Sequence, residues 1–242
     1  IASSNAAFNH QSMSFKDDAQ AALDMGIDYA ALFERDANEV LQGAASNPVG
    51  QARIHLHDAR ALSTMAEGPF DLVITSPPYA NRMSYIRELR PYMYWLGLLS
   101  NGRDAAELDW QAIGGTWGVA TSRLKTWRPP SGAYVSDELE AVLARVAGPT
   151  NANGDLLARY IRKYCVDMAV HFQELRAVLA PGARLHYIVG NSTFYGELIS
   201  IERIYVAILE ALGFEAVQAI AIRKRNSKRD LVEFDVRARW PD

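Results

Sequence analysis

One short stretch of the chain has side chains that could bind and activate a flat aromatic amine. Residues 71–79 read Asp-Leu-Val-Ile-Thr-Ser-Pro-Pro-Tyr. The Ser76 hydroxyl and the Pro77 carbonyl are acceptors for amino protons, and the Tyr79 ring offers a face for stacking. Acceptors in the plane of an amine draw its protons into that plane and leave the nitrogen lone pair available. Such an arrangement prepares the nitrogen to attack an electrophilic carbon.

The two prolines make this turn stiff. Neither Pro77 nor Pro78 has an N–H, so the preceding strand cannot continue its ladder, and the residue before each proline is held extended. The apolar run at 70–75 predicts a buried strand that ends at the turn. Ligands of open α/β sheets bind at the carboxyl ends of strands. A rigid turn with Tyr79 packed over it is the structural alternative for these residues.

This stretch resembles the catalytic motif of S-adenosylmethionine-dependent amino methyltransferases that act on DNA. That family carries Ser, Asn or Asp before Pro-Pro and an aromatic residue, and the Ser form is similar to that of the N4-cytosine enzymes. The resemblance implies that Ser76, Pro77 and Pro78 hold the target amine and that Tyr79 stacks on a flipped base.

The resemblance also implies an activity, a cofactor and a partner. The expected reaction is methyl transfer from S-adenosylmethionine to an exocyclic amine of double-stranded DNA, with cytosine N4 preferred over adenine N6, as in restriction–modification. Related Pro-Pro-Tyr motifs also serve methyltransferases of RNA and of protein amides. A catalytically silent nucleic-acid-binding subunit is a further alternative.

Further candidate residues lie at other strand ends. By the same resemblance, Asp58 accepts from the adenine amine of the cofactor, although an Asp before a helical run is also a typical helix N-cap. We assign Thr75, the last residue of the central strand, to the cofactor side as well. Asn191, in Gly-Asn-Ser, is expected to bind the base or to brace Ser76; capping the next segment is its structural alternative.

Basic residues predict where the DNA backbone binds. Arg82 lies just after the motif, and Arg123 and Lys125 lie in the segment that follows it. A duplex needs a local positive surface rather than a basic protein, which is compatible with a net charge of −3. The alternative interpretation of each of these basic residues is that it lies on a solvated surface and binds no nucleic acid.

The sequence contains no Gly-x-Gly, although the family binds its cofactor with a glycine-rich turn after the first strand. Ile1 is not a natural start. We therefore expect the first two strands and this turn to lie upstream of Ile1 or on a partner chain. The alternative is that the chain has lost cofactor binding and has another role.

The order of predicted elements indicates an α/β fold of the Rossmann-like methyltransferase type. We expect a mainly parallel sheet closed by a C-terminal antiparallel hairpin, with residues 1–242 forming one partial catalytic domain. The segment 80–150 has no strand periodicity and is predicted to be an insertion that contacts substrate. The individual predictions are helices at 17–43, 59–66, 85–99, 136–147, 155–179 and 200–212, strands at 52–57, 70–75, 183–189, 215–223 and 231–240, and loop at 113–134.

Composition narrows the class of protein. Cys165 is the single cysteine, which excludes a disulfide framework and predicts a packed core thiol. No segment approaches the roughly 20 apolar residues of a membrane span, and no secretory signal is present, so we expect a cytoplasmic protein. The five histidines show no metal-ligand spacing, and no metal is expected.

Overall fold

The computed structural model describes residues 6–8, 13–15, 28–47, 49–116, 119–225 and 230–242. The chain divides into two compact units, Ile1–Leu56 and His57–Asp242. No helix in the described ranges combines the length and the apolar character that a membrane span requires.

Within the described residues, the first unit contains an antiparallel strand pair and one helix. The strands are β1 (Ala6–Phe8) and β2 (Met13–Phe15), and the helix is α1 (Tyr29–Ala44). Asp28 begins the helix because its side chain accepts a hydrogen bond from the Ala31 N–H at 3.0 Å. The helix predicted at 17–43 is thus observed from residue 29 onwards, and residues 16–27 lie outside the described ranges.

The predicted strand at 52–57 is wrong. Residues 51–58 form neither helix nor strand, and the side chains of Ile54 and Leu56 are fully exposed. Alternating apolar and polar residues favour a strand only where neighbouring strands pair with it and its apolar side is covered. None of the strands in the described ranges pairs with this segment, so its alternation does not produce a strand.

The second unit carries the remaining elements. In chain order they are a 3₁₀ turn (Leu62–Thr64), β3 (Phe70–Thr75), α2 (Tyr85–Trp95), α3 (Gly102–Gln111), α4 (Val119–Thr126), α5 (Asp137–Val146), α6 (Gly154–Leu175), a second 3₁₀ turn (Arg176–Val178), β4 (Leu179–Gly190), β5 (Ser192–Phe194), β6 (Glu197–Ile199), α7 (Ile201–Ala211), β7 (Glu215–Lys224) and β8 (Val232–Arg239).

The central sheet has the strand order β3-β4-β8-β7. Only β3 and β4 are parallel, while β8 runs antiparallel to both β4 and β7. The expected antiparallel C-terminal hairpin is confirmed, but the expected mainly parallel sheet is wrong for the described residues, since two of its three pairings are antiparallel. The one parallel pair is the pair that carries the Ser-Pro-Pro-Tyr turn.

Helices cover one face of this sheet. On that face Leu185, Tyr187 and Val236 are buried, and the Tyr187 ring packs against Phe172 of α6 and Tyr205 of α7 at centroid distances of 5.0 and 6.3 Å. Cys165 of α6 is buried in the same core. Burial raises the pKa of its thiol to about 12, which keeps the group protonated and unreactive.

The other face of the sheet is open on β3. Residues of a strand alternate between the two faces, and Leu72 and Ile74 pair in register with Arg184 and His186 rather than with the buried Leu185. The side chains of Leu72 and Ile74 are 41% and 69% exposed. We refer to this side of the sheet as the open face.

The segment 80–150 is helical rather than strand-forming, as expected, and holds α2 to α5. The short helix α4 lies within the predicted loop at 113–134, so that part of the prediction is wrong. Glycines and prolines flank α4 on both sides, and in the sequence these loop-forming residues obscure the helical pattern of its eight residues. Gly114, at φ 79°, lies against Pro78 and Tyr164, which brings this segment to the motif turn.

Candidate active site

The parallel pair positions Ser76. Thr75 is the last residue of β3 and lies opposite Tyr187 of β4. One step further the Ser76 hydroxyl donates a hydrogen bond to the Ile188 carbonyl, with an O–O distance of 3.2 Å. The Ser76 hydroxyl is also in hydrogen-bonding contact with the Tyr79 side chain, and the two lone pairs of its oxygen can accept from a further group. The Ser76 side chain is exposed to solvent.

Two buried tyrosines hold the second proline. Tyr164 of α6 donates from its hydroxyl to the Pro78 carbonyl at 2.8 Å, and Tyr205 of α7 lies 2.7 Å from the same hydroxyl oxygen. Since Tyr164 has one proton to give, Tyr205 must donate to Tyr164. Burial raises the pKa of both phenols, so both remain protonated donors.

These contacts distinguish the two proline carbonyls. The Pro78 carbonyl is occupied by Tyr164, whereas none of the described residues donates to the Pro77 carbonyl. The exposed Ser76 oxygen and the carbonyl of the buried Pro77 are therefore the two acceptors of the turn that Tyr164 does not occupy. They are the two acceptors that the sequence analysis selects for the amine, and their role stays a prediction.

Tyr79 is half-buried and held at both its hydroxyl and its ring. Its hydroxyl donates to Glu233 Oε1 at 3.0 Å, and the Arg225 guanidinium carbon lies 4.9 Å from the ring centroid. Burial raises the pKa of the Tyr79 phenol, which keeps it a donor. Glu233 and Arg225 lie 154 and 146 residues away along the chain, so the motif itself gives no signal for them.

One face of α6 supports both the motif turn and the segment around Asp58. Its polar side chains recur at intervals of four and three residues, which places them on one side of a helix. Tyr160 accepts from the Arg82 N–H at 3.0 Å, and Asp167 lies 3.3 Å from Arg60. This row is Tyr160, Tyr164, Asp167, His171 and Glu174. The sequence analysis does not select these residues, although polar side chains that recur on one side of an otherwise apolar helix could have indicated them.

His171 links the backbone of residue 59 to the core through hydrogen bonds. Its Nδ1–H donates to the Ala59 carbonyl at 2.8 Å, because a carbonyl can only accept, and its Nε2 accepts from the Tyr187 hydroxyl at 2.6 Å. Burial lowers the pKa of His171, so the ring is neutral at neutral pH.

Asp58 lies beside this support, with its carboxylate engaged by Arg60. Oδ1 accepts from the Arg60 N–H at 2.8 Å, and Oδ2 accepts from Arg60 Nη2 at 2.9 Å. The Arg60 side chain, through its hydrogen bonds above all, lowers the pKa of Asp58. The side chain is 51% exposed. Asp58 therefore stabilises the turn that it begins, which is close to the N-cap role given above as its structural alternative. Its carboxylate nevertheless stays accessible to solvent.

Asn191 binds the end of the C-terminal hairpin. Its amide donates to the Asp230 carbonyl at 2.8 Å and accepts from the Val232 N–H at 2.9 Å. Ser76 has the Ile188 carbonyl as its partner instead. The expected brace between Asn191 and Ser76 is therefore not present. The side chain is buried and ties β4 to β8 beside the turn.

The three basic candidates differ in their surroundings. Arg82 is exposed, three residues after the motif, and adopts a left-handed φ of 61°. Arg123 forms a two-bond ion pair with Glu107 at 2.9 and 2.6 Å, so its charge is largely committed. Lys125 lies exposed on the last turn of α4. The described residues contain no cluster of His, Cys, Asp or Glu able to hold a metal ion.

Curated proteins that are similar in sequence to this chain are named methyltransferases, the class that the Ser-Pro-Pro-Tyr motif indicates. The chain is 23% identical over 219 residues to the type II methyltransferase M.BsoBI of Geobacillus stearothermophilus, covering 83% of this chain and 43% of that protein. It is 29% identical over 189 residues to the type II methyltransferase M.AvaI of Nostoc sp., covering 74% and 39%. The chain thus spans about two fifths of the length of these curated relatives. No protein-family model matches it.

Among solved structures, the chain is similar to a DNA modification methylase of Thermus thermophilus. The identity is 16% and the TM-score 0.41, over 78% of this chain and 54% of that one; one crystal structure of that protein contains S-adenosyl-L-methionine. The curated relatives, rather than this distant likeness, confirm the resemblance that the Ser-Pro-Pro-Tyr motif indicates. The chain is thus similar in sequence to two proteins named type II methyltransferases.

Proposed function

We propose that this chain carries the target-amine site of an S-adenosylmethionine-dependent DNA methyltransferase. The observation that carries the proposal is the pair of acceptors at the motif turn: the exposed Ser76 oxygen and the Pro77 carbonyl, to which none of the described residues donates. Ser76 gives its proton to the Ile188 carbonyl, and Tyr164 occupies the Pro78 carbonyl. The Ser76 lone pairs and the Pro77 carbonyl can therefore accept the two protons of an exocyclic amine.

The turn acts by positioning and by stabilising charge. A base amine that donates to Ser76 and Pro77 keeps its protons in the ring plane and directs the nitrogen lone pair away from it. As nitrogen gains positive charge, the two acceptors stabilise it without rearranging, because the prolines and Tyr164 hold them fixed. When bound, S-adenosylmethionine supplies the methyl group as an electrophilic carbon.

We propose cytosine N4 as the preferred target and adenine N6 as the second. A base inside a duplex cannot reach the turn, so the target base flips out and stacks on Tyr79. The inserted segment 80–150 lies over the substrate in this proposal, supported by the approach of Gly114 to Pro78. Arg82 and Lys125 contact the DNA backbone, while Arg123 contributes less because Glu107 pairs with it.

The chain's own residues fit the cofactor in part. Asp58 offers accessible carboxylate oxygens for an amine, and Thr75 ends the strand that carries the turn. The missing element is a glycine-rich turn, since the sequence has no Gly-x-Gly. We propose that this turn belongs to further strands along the edge of β3 that pairs with none of the described strands, and that these are encoded upstream or supplied by a partner chain. The exposed side chains of Leu72 and Ile74 also support a layer of structure that covers the open face.

The biological setting follows from the relatives. Because they are type II methyltransferases, we propose that the protein modifies DNA in the cytoplasm as part of a restriction–modification system. Methylation of RNA or of a protein amide, and a silent DNA-binding subunit, are the competing outcomes of the test below.

Calorimetric titration with S-adenosylmethionine tests the cofactor proposal. We expect weak or no binding to the 242-residue chain, and binding to a version extended upstream of Ile1 or mixed with its partner chain. A labelled-methyl assay on DNA, RNA and protein then identifies the substrate, with transfer to DNA expected. An extended protein that still ignores the cofactor would point to the silent subunit.

A further inference from the structure

The hydroxyl of Tyr79 is fixed by a carboxylate from the C-terminal hairpin. Glu233 of β8 accepts from the Tyr79 hydroxyl through Oε1, and its Oε2 accepts from Arg223 of β7. Glu233 is buried, at 8% exposure, so this carboxylate has little freedom to turn. Arg223 above all lowers the pKa of Glu233, and the group is therefore an ionised acceptor at neutral pH.

One face of the Tyr79 ring is covered by Arg225. The guanidinium carbon lies 4.9 Å from the ring centroid, and its Nη1 donates to the Asn191 carbonyl at 2.9 Å. The Arg225 side chain runs directly over Gly190. A Cβ at Gly190 would lie 2.3 Å from Arg225 Nη1, so this placement requires glycine there.

This geometry leaves one side of the ring for a ligand. A base between Tyr79 and Arg225 would need two stacking layers of roughly 3.5 Å each, or about 7 Å in total, and the observed 4.9 Å does not provide that space. The hydroxyl is also committed to Glu233, so Tyr79 cannot tilt without breaking that bond.

We propose that Glu233 and Arg225 are positioning residues that fix the Tyr79 ring, so that a target base stacks only on the face opposite Arg225. The inference rests on the proposed function and adds to it that the β7–β8 hairpin orients the base. Neither residue touches the reacting atoms. Each acts through the angle and height of the Tyr79 ring above the Ser76 and Pro77 acceptors.

A double-mutant cycle tests the Glu233 contact in the native protein. We expect Tyr79→Phe and Glu233→Ala each to lower kcat roughly 10- to 100-fold, because misplacement of about 1 Å has effects of this size, with an unchanged KM for S-adenosylmethionine. The double variant should be no slower than the worse single variant. Glu233→Gln, which keeps an acceptor, should restore most of kcat. Independent, multiplicative losses would overturn the role of Glu233.

Gly190→Ala tests Arg225 without removing its charge. The new methyl group displaces the guanidinium, so we expect the same rise in KM for DNA as in Arg225→Ala. We also expect both to weaken the fluorescence signal of pyrrolocytosine flipped at the target position, which is first located by sequencing DNA that the native protein has methylated. Gly102→Ala is the matched control, because a Cβ there meets no atom within 4 Å.

The outcomes separate this inference from the proposed function. If the native protein methylates DNA while Gly190→Ala and Arg225→Ala keep its KM and fluorescence signal, the role of Arg225 fails and the proposed function stands. If the native protein transfers no methyl group to DNA and gives no flipping signal, the proposed function fails and this inference fails with it.

Discussion

The two faces of the central sheet are built differently. On the covered face Leu185 and Tyr187 are almost completely buried under α6 and α7. On the open face Leu72 and Ile74 are exposed, and the side chains of His186 and Arg237 both contact the Asp235 carboxylate. The covered face resembles the interior of an independent domain, and the open face resembles a surface that still lacks its covering layer.

We interpret this difference in terms of the proposed methyltransferase site. The helices of the covered face supply Tyr164 and Tyr205, which hold the turn that we propose as the target-amine site. One edge of β3 pairs with none of the described strands, and in our proposal the cofactor binds on this side. In our account, substrate positioning belongs to this chain and most of the cofactor contacts belong to the covering layer.

Alanine substitutions on the two faces give the largest contrast. Leu185→Ala should lower the free energy of unfolding by about 2–5 kcal/mol, because it leaves a cavity in a packed core. Ile74→Ala should cost less than about 0.5 kcal/mol in the 242-residue chain. Urea unfolding of both variants measures the difference. Equal losses would show that the open face is already covered.

Tyr164→Phe probes the support of the turn from the covered face. The variant loses the donor to the Pro78 carbonyl and leaves Tyr205 without its acceptor, so we expect about 1–3 kcal/mol of destabilisation. Thermal unfolding is the measurement, with Tyr94→Phe on the exposed side of α2 as the control. A variant as stable as its control would mean that the buried tyrosine pair does not brace the turn.

The smallest expected effect is a pH dependence from His171. Burial lowers the pKa of this ring below its usual 6.5, so the unfolded chain binds a proton more readily than the folded chain. Stability should therefore fall as the pH drops below about 6.5, until the pH reaches the lower folded-state pKa. His171→Gln keeps a donor and an acceptor without titrating, and should flatten this part of the Tm-against-pH curve.

Local pattern was enough to predict much of the fold. The strands at 70–75 and near 215–223, and the helices near 155 and 200, show clear periodicity in the sequence. The strand predicted at 52–57 failed because alternation is a local property, while a strand exists only with its neighbours. The prediction of a mainly parallel sheet was wrong for the described residues for the same reason, because the direction of strand pairing also depends on neighbouring strands.

The site was predictable only where its residues are contiguous. Ser76 and Tyr79 stand together in a motif, so their proposed roles could be inferred from residue type and order. Glu233 and Arg225 reach Tyr79 from another part of the chain, and Tyr164 reaches Pro78 across 86 residues. Such partners depend on strand order and helix packing, which the sequence alone does not display.

The most direct test of the central claim is to measure which base receives the methyl group. The native gene and its Ser76→Ala variant are expressed in a methylation-deficient host, and nucleosides of the host DNA are analysed by mass spectrometry. We expect N4-methylcytosine with the native gene, and a loss of roughly 10²- to 10³-fold in Ser76→Ala, but not in Ser122→Ala on the surface of α4. Undiminished methylation in Ser76→Ala, or DNA without any methylated exocyclic amine, would contradict it.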